Sequence, residues 1–182
     1  NIADSYQDLE DYNNALEYYK LSLEIRKVVY NDNDHVDIAN SLNSIANTYR
    51  NLNDFNKAIE YYEKSLELRK RLKINFDPDT AVIIDNIGYC YEKLCYYKNA
   101  LEYYKFSLET KKLFYKNDHS DIASSYNKIA SLYKSLGELN KTIQYYKQSL
   151  ECLKKVYKDN HPEISQVLEN IAISYDSLND YS

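Results

Sequence analysis

Ser41-Leu42-Asn43-Ser44-Ile45-Ala46-Asn47-Thr48-Tyr49 returns three more times along the chain. It comes back as Ile83-Ile84-Asp85-Asn86-Ile87-Gly88-Tyr89-Cys90-Tyr91, then as Ser125-Tyr126-Asn127-Lys128-Ile129-Ala130-Ser131-Leu132-Tyr133. The last copy is Val167-Leu168-Glu169-Asn170-Ile171-Ala172-Ile173-Ser174-Tyr175. The closing tyrosines, Tyr49, Tyr91, Tyr133 and Tyr175, are 42 residues apart at every step. A second segment accompanies the first: Ala15-Leu16-Glu17-Tyr18-Tyr19 recurs as Ala58-Ile59-Glu60-Tyr61-Tyr62, Ala100-Leu101-Glu102-Tyr103-Tyr104 and Thr142-Ile143-Gln144-Tyr145-Tyr146. Each runs on to Ser-Leu-Glu at Ser22, Ser65, Ser107 and Ser149. The first step of this second series is 43 residues, because one extra residue sits between Tyr30 and His35. Self-similarity at a fixed period of this size marks a repeat architecture.

Both segments have helical periodicity. Leu42, Ile45, Ala46 and Tyr49 fall at i, i+3, i+4 and i+7, and Ala58, Tyr62, Ser65 and Leu66 at i, i+4, i+7 and i+8. Each repeat is therefore expected to be a pair of amphipathic helices. Small residues at fixed places (Ala46, Gly88, Ala130 and Ala172; Ala58 and Ala100; Ser65, Ser107 and Ser149) let the paired helices approach closely. Between repeats the chain turns through Asp34-His35-Val36-Asp37, Asp77-Pro78-Asp79, Asp118-His119-Ser120-Asp121 and Asn160-His161-Pro162-Glu163. Asn160 with Glu163 fits a capping box, and Pro78 and Pro162 belong in first helical turns. A lone helix pair cannot bury its apolar face, so the units are expected to stack.

The resulting fold class is all-α, a solenoid of antiparallel helix pairs. The division is a partial repeat over 1–37, repeats over 38–79, 80–121 and 122–163, and the first helix of a fifth over 164–182. The chain starts inside a first helix at Asn1-Ile2-Ala3 and stops after another at Tyr181-Ser182, so it reads as a piece of a longer protein.

Composition removes several function classes. With 2 Gly, set 49 residues apart at Gly88 and Gly137, no phosphate-cradling glycine loop exists. A net charge of -5 disfavours a nucleic-acid partner, and no apolar run is long enough to span a membrane. Cys90, Cys95 and Cys152 form neither an even framework nor a CxxC pair, which points to reduced thiols in a cytoplasmic protein. His35, His119 and His161 lie one per linker, which favours hydrogen bonding over metal binding. No nucleophile–base set stands out from the repeat, so no catalysis, cofactor or metal is expected. The tyrosine doublets repeat on the second helix, where packing between helices explains them better than base stacking.

These residues resemble the tetratricopeptide repeat family. Leu42, Ile45-Ala46 and Tyr49 match its first-helix pattern, and Ala58, Tyr62 and Ser65 its second. The 42-residue period and the Asn160-His161-Pro162-Glu163-Ile164 linker are similar to the kinesin light chain subtype. The resemblance implies that the solenoid is right-handed and is a protein–protein interaction scaffold, with a concave groove lined by first helices that takes peptide segments of partner proteins. Transferred by register, the groove residues are Asn40, Asn43, Asn47, Arg50 and Asn51 in repeat two. Repeat three offers Val82, Asp85, Tyr89, Glu92 and Lys93; repeat four, Ser124, Asn127, Ser131, Lys134 and Ser135. The fifth gives Gln166, Glu169, Ile173, Asp176 and Ser177.

The residue types suit that role. A carboxamide both donates and accepts, so it engages a peptide main chain, while Arg50, Lys93 and Lys134 suit acidic groups. Asp85, Glu92, Glu169 and Asp176 break up the positive charge that an acidic-tail clamp would need. Two alternatives stay open: a recognition arm of a larger enzyme or signalling protein, and end-to-end self-association.

Overall fold

His35 and His119 set the starts of two first helices in an unusual way. In the computed structural model, which describes residues 2–74, 76–115, 119–157 and 160–180, each imidazole is the N-cap. The His35 Nδ1 accepts the Asp37 backbone N–H at 3.1 Å and the His119 Nδ1 that of Asp121 at 3.2 Å. His161 does the same for Glu163 at 3.3 Å. Each ring stacks on a tyrosine from the end of the preceding helix: Tyr30 at 3.6 Å, Tyr115 at 3.7 Å and Tyr157 at 3.6 Å. The capping box expected at Asn160 does not open the last helix. That helix starts at Pro162, which places His161, one residue later than Asn160, in the capping position. The remaining junction replaces the pair with Asp77, whose side chain accepts the Thr80 N–H at 2.7 Å ahead of Pro78. Asn1, Asp118 and Tyr181-Ser182, used above to place boundaries, lie outside the described residues. His119→Ala should cost about 1 kcal/mol in a urea titration, and His119→Asn, which keeps an acceptor but not the stack, less than that.

Among the described residues every regular element is an α-helix, and the chain divides into two compact units. The first, Asn1–Leu94, contains α1 (Ile2–Asp8), α2 (Tyr12–Val29), α3 (Val36–Asn51), α4 (Phe55–Arg71) and α5 (Pro78–Lys93). Here α3 packs on both α2 and α4, and α5 packs on α4. The second unit, Cys95–Ser182, contains α6 (Tyr97–Phe114), α7 (Ser120–Ser135), α8 (Leu139–Val156) and α9 (Pro162–Asp180). Its helices pack in sequence order.

The turn inside each repeat has a fixed geometry. Glu10, Asn53, Cys95 and Gly137 occupy one register position, with φ of 58°, 60°, 61° and 74°. The Asp54 N–H closes on the Tyr49 carbonyl and the Asn53 N–H on that of Arg50, the pairing of a helix that ends on a left-handed residue. Only glycine adopts this conformation without Cβ strain. Cys95→Gly is expected to raise stability by about 1 kcal/mol. Gly137→Ala should lower it by a similar amount; a Cβ there meets no atom within 4 Å, so the cost is backbone alone. Paired denaturation curves test both.

The tyrosine doublets are packing elements. The second tyrosine of each (Tyr19, Tyr62, Tyr104 and Tyr146) is buried. The first stacks on the tyrosine that closes the paired first helix: Tyr18 on Tyr6 at 5.5 Å, Tyr61 on Tyr49 at 5.4 Å and Tyr145 on Tyr133 at 5.4 Å. Close helix approach is visible at the serines. Ser65 donates to the Ala39 carbonyl at 2.8 Å and Ser149 to that of Ala123 at 2.9 Å, so each second helix touches main chain of its first.

The seams between successive repeats carry side chains that periodicity does not reveal. Arg26 donates to the Asp37 carbonyl at 3.0 Å and to Ser41 at 2.6 Å. Lys111, at the equivalent position, donates to Ser125 at 2.8 Å. The next equivalent pair is Leu153 with Val167, both buried. The chain thus holds a polar and an apolar solution to one packing problem. Replacing both partners of a buried polar contact with apolar groups of similar shape can be nearly neutral or stabilising. Lys111→Leu combined with Ser125→Val should therefore match or exceed the parent in melting temperature, whereas Lys111→Ala should fall below it.

Candidate functional site

The exposed edge of α3 brings together a row of carboxamides. Its neighbours treat them unequally. Asn40 is exposed, and its Oδ1 accepts from Arg69 Nη1 at 3.1 Å. Asn47 Oδ1 accepts the Tyr62 hydroxyl at 2.5 Å and Asn86 Nδ2 at 3.4 Å. The Asn86 Oδ1 in turn accepts from Arg50 Nη1 at 2.8 Å. Arg50, Asn86, Asn47 and Tyr62 thus form one chain of contacts joining α3, α4 and α5. Asn86, read in the sequence only as part of the repeated segment, is the link in it.

Asn43 stands apart from this network. Its Oδ1 is shielded from solvent and accepts no hydrogen bond from any described residue. Asn127, at the same register position on α7, has an Oδ1 in the same condition. The third member of that position, Asp85, is buried on α5. A buried acceptor without a donor costs about 1–3 kcal/mol, so two at one repeat position need a reason. The Asn40 and Asn47 oxygens are committed to the fold, and these two are not.

Tyr89 supplies the apolar part of the first-unit site. It is 38% exposed, with Phe55 edge-on at 6.4 Å between ring centroids. Lys93 Nζ lies 5.2 Å and Arg50 Cζ 6.0 Å from the ring centre, so two cations flank an exposed aromatic face. Val82, two turns earlier on α5, is exposed as well, and Asn51 is half-buried at the end of α3. In the second unit Ser131, Lys134 and Ser135 are exposed on α7, and the Ser135 hydroxyl donates back to the Ser131 carbonyl at 3.2 Å. Lys134 also borders a cavity of about 790 Å³ lined by the 137–141 turn, Ser177 and Leu178. On α9, Gln166, Glu169, Ile173 and Asp176 are exposed and Ser177 half-buried.

Among the described residues no three His, Cys, Asp or Glu side chains gather as metal ligands. No described helix is long and apolar enough to cross a membrane. Burial pushes the Cys90 thiol up to about 11, which leaves it protonated and unreactive at neutral pH.

The tetratricopeptide repeat model matches residues 1–71, 37–113, 79–155 and 121–182, which together span the chain. The chain belongs to the tetratricopeptide repeat family. No curated protein matches it. Among solved structures, this tetratricopeptide repeat chain is similar to BtubC (BKLC) from P. vanneervenii, with 21% identity and a TM-score of 0.85. That alignment covers 98% of this chain and 71% of the other. It is also similar to a putative kinesin light chain from Podosopora anserina with nearly identical TPR-like repeats. There the identity is 16% and the TM-score 0.82, over 98% of this chain and 84% of that one. The TPR2AB domain of yeast Sti1, solved as a complex with pHSP90, matches with 23% identity and a TM-score of 0.59 over 80% of this chain and 49% of that one. Likeness at these identities establishes the fold, an all-α helical-repeat solenoid whose family is typical of protein–protein interaction.

Proposed function

We propose that the first-helix faces bind extended peptide segments of partner proteins, so that the chain is a kinesin light chain-like adaptor in the cytoplasm and has no catalytic step of its own. The observation that carries this reading is the pair of unbonded carboxamide oxygens at Asn43 and Asn127. Rotation about χ2 turns each Oδ1 outward and breaks no existing bond, because it has none. A peptide N–H then provides the hydrogen bond that the free chain lacks, and the amide donates to a peptide carbonyl. Tyr89 offers a stacking surface beside these contacts, and Lys93 a charge for an acidic ligand group. Three free cysteines support the cytoplasmic setting.

The test is a peptide-library selection on the parent chain and on the Asn43→Ala/Asn127→Ala double variant. The enriched motif should bind the variant about 10-fold or more weakly, at roughly one hydrogen bond lost per site. The variant should also melt at or above the parent temperature, because the alanines remove two unsatisfied acceptors. Unchanged enrichment on the variant sinks the assignment of the site.

A further inference from the structure

The outer side of α6 carries a stripe that its repeat equivalents do not share. Glu102, Phe106, Glu109 and Leu113 fall at i, i+4, i+7 and i+11, so they line one side of the helix. Phe106 is 52% exposed and Leu113 67%. Lys64 and Arg71 hold the same register positions on α4, and Gln148 and Lys155 hold them on α8. The Lys64, Arg71 and Lys155 side chains are about half exposed, and Gln148 is half-buried. Exposure of Phe106 and Leu113 therefore belongs to the position in the repeat and not to a missing neighbour.

On α4 and α8 the stripe neutralises its own carboxylates. Lys64 pairs with Glu60 at 2.5 Å, Arg71 with Glu67 at 3.2 Å and Lys155 with Glu151 at 3.4 Å, each four residues along its helix. On α6 an aromatic and an aliphatic side chain stand where those cations would be. Glu109 turns to Lys112 at 2.7 Å. Glu102 is exposed and pairs with no cation among the described residues. Lys105, one turn further on, donates to the Tyr133 hydroxyl at 2.9 Å instead. Two acidic and two apolar side chains thus alternate on an open surface, each kind repeating after seven residues.

We infer that this stripe docks a basic amphipathic helix of a partner protein. Seven residues is the spacing at which one helix returns to its seam with a second, so Phe106 and Leu113 suit apolar residues one heptad apart on the partner. Lys or Arg flanking that partner's seam meets Glu102 and Glu109, as charged residues beside a coiled-coil seam meet across it. The partner supplies the cations that α4 and α8 carry themselves. The same carboxylates disfavour an anionic lipid surface, and a second α6 would set them against each other. This inference stands apart from the peptide-binding reading, which concerns the first helices.

The probe is a synthetic helix of three heptads with Leu at a and d and Lys at e and g; the same peptide with Glu in place of Lys is its control. Glu17, Leu21, Glu24 and Val28 repeat the order on α2, so every protein titrated carries Leu21→Gln and Val28→Gln, which leaves α6 as the stripe under test. By fluorescence anisotropy the Lys peptide should bind about 10-fold or more tightly than the Glu peptide. Phe106→Gln with Leu113→Gln, which leaves the net charge unchanged, should weaken the Lys peptide by about 10-fold or more. Glu102→Gln should weaken the Lys peptide and leave the Glu peptide as it was. Glutamine already stands at this register position on α8 as Gln148, and circular dichroism checks that the helices persist. Equal binding of the two peptides, or Lys-peptide binding that the Phe106→Gln/Leu113→Gln protein retains, overturns the inference. So does self-association that the same two changes abolish, which would assign the stripe to a second copy.

Discussion

Arg69→Ala is expected to destabilise the first unit by about 3 kcal/mol, the range for removing one partner of a buried ion pair. Arg69 is 2% exposed, and its guanidinium reaches four partners. Nε donates to Thr80 at 3.0 Å and Nη1 to Asn40 at 3.1 Å; Nη2 donates to Asp77 at 2.9 Å and to Asp79 at 3.3 Å. One side chain near the end of α4 therefore holds both the start of α5 and the face of α3. Alanine removes that tie and leaves Asp77 with its cap to Thr80 alone. Amide exchange at Thr80 and Ala81 should accelerate more than exchange in α2, which separates local opening from global loss.

The same contact predicts a pH dependence. Burial pushes the Asp77 carboxyl up, but the Thr80 side-chain and backbone hydrogen bonds and the Arg69 charge outweigh it and hold the group below its ordinary value. A folded pKa below the unfolded one contributes stability above the unfolded pKa, and that contribution is lost as pH falls through the folded value. The gap between parent and Arg69→Ala should be full at neutral pH and should narrow below about pH 4. A gap that stays constant into acid would show that the Asp77 contact adds nothing.

Tyr62→Ala should cost about 4 kcal/mol, in the range for emptying a large aromatic site. The ring is fully buried between helices, and its hydroxyl donates to Asn47. Burial pushes the phenol well above its ordinary range, so it is protonated and donates at neutral pH. Tyr62→Phe separates the two contributions. It keeps the ring and removes only the hydroxyl, leaving Asn47 Oδ1 with the long Asn86 contact, for a loss of about 1 kcal/mol. Urea titrations of the three proteins give the split. Equal losses for the two variants would mean that the hydrogen bond, and not the packed ring, holds this site.

The helix pairs and their register were legible because a 42-residue period and a 3.6-residue stripe are properties of the chain itself. Tyr49, Ala58 and Tyr62 are buried for the reason their spacing suggests. The site was less legible. Asn40, Asn43 and Asn47 look alike in sequence, yet Asn40 and Asn47 are bonded to Arg69, Tyr62 and Asn86, and Asn43 is left free. Which carboxamide is used internally depends on how far an arginine or tyrosine reaches from a neighbouring helix. No period encodes that distance. Asp85 was expected at the surface and is buried, although Val82 and Tyr89 on either side of it along α5 are exposed; its place in the row is visible from spacing, its exposure is not. Arg69 carried no signal, because a basic residue in a last helical turn usually faces water.

The changing chemistry at the seams has a consequence for how such a chain finds its fold. Near-identical repeats invite slippage, in which a helix pairs with the wrong copy of its partner, one period away. In the second unit Lys111 belongs with Ser125 and Leu153 with Val167. A slipped pairing would press an ammonium group against Val167 and leave the Ser125 hydroxyl facing Leu153. Both errors lose the bond between Lys111 and Ser125, the first presses a charge against apolar surface, and neither gains a contact in return. The seams act as addresses: they make one alignment of otherwise interchangeable helices cheaper than every shifted one.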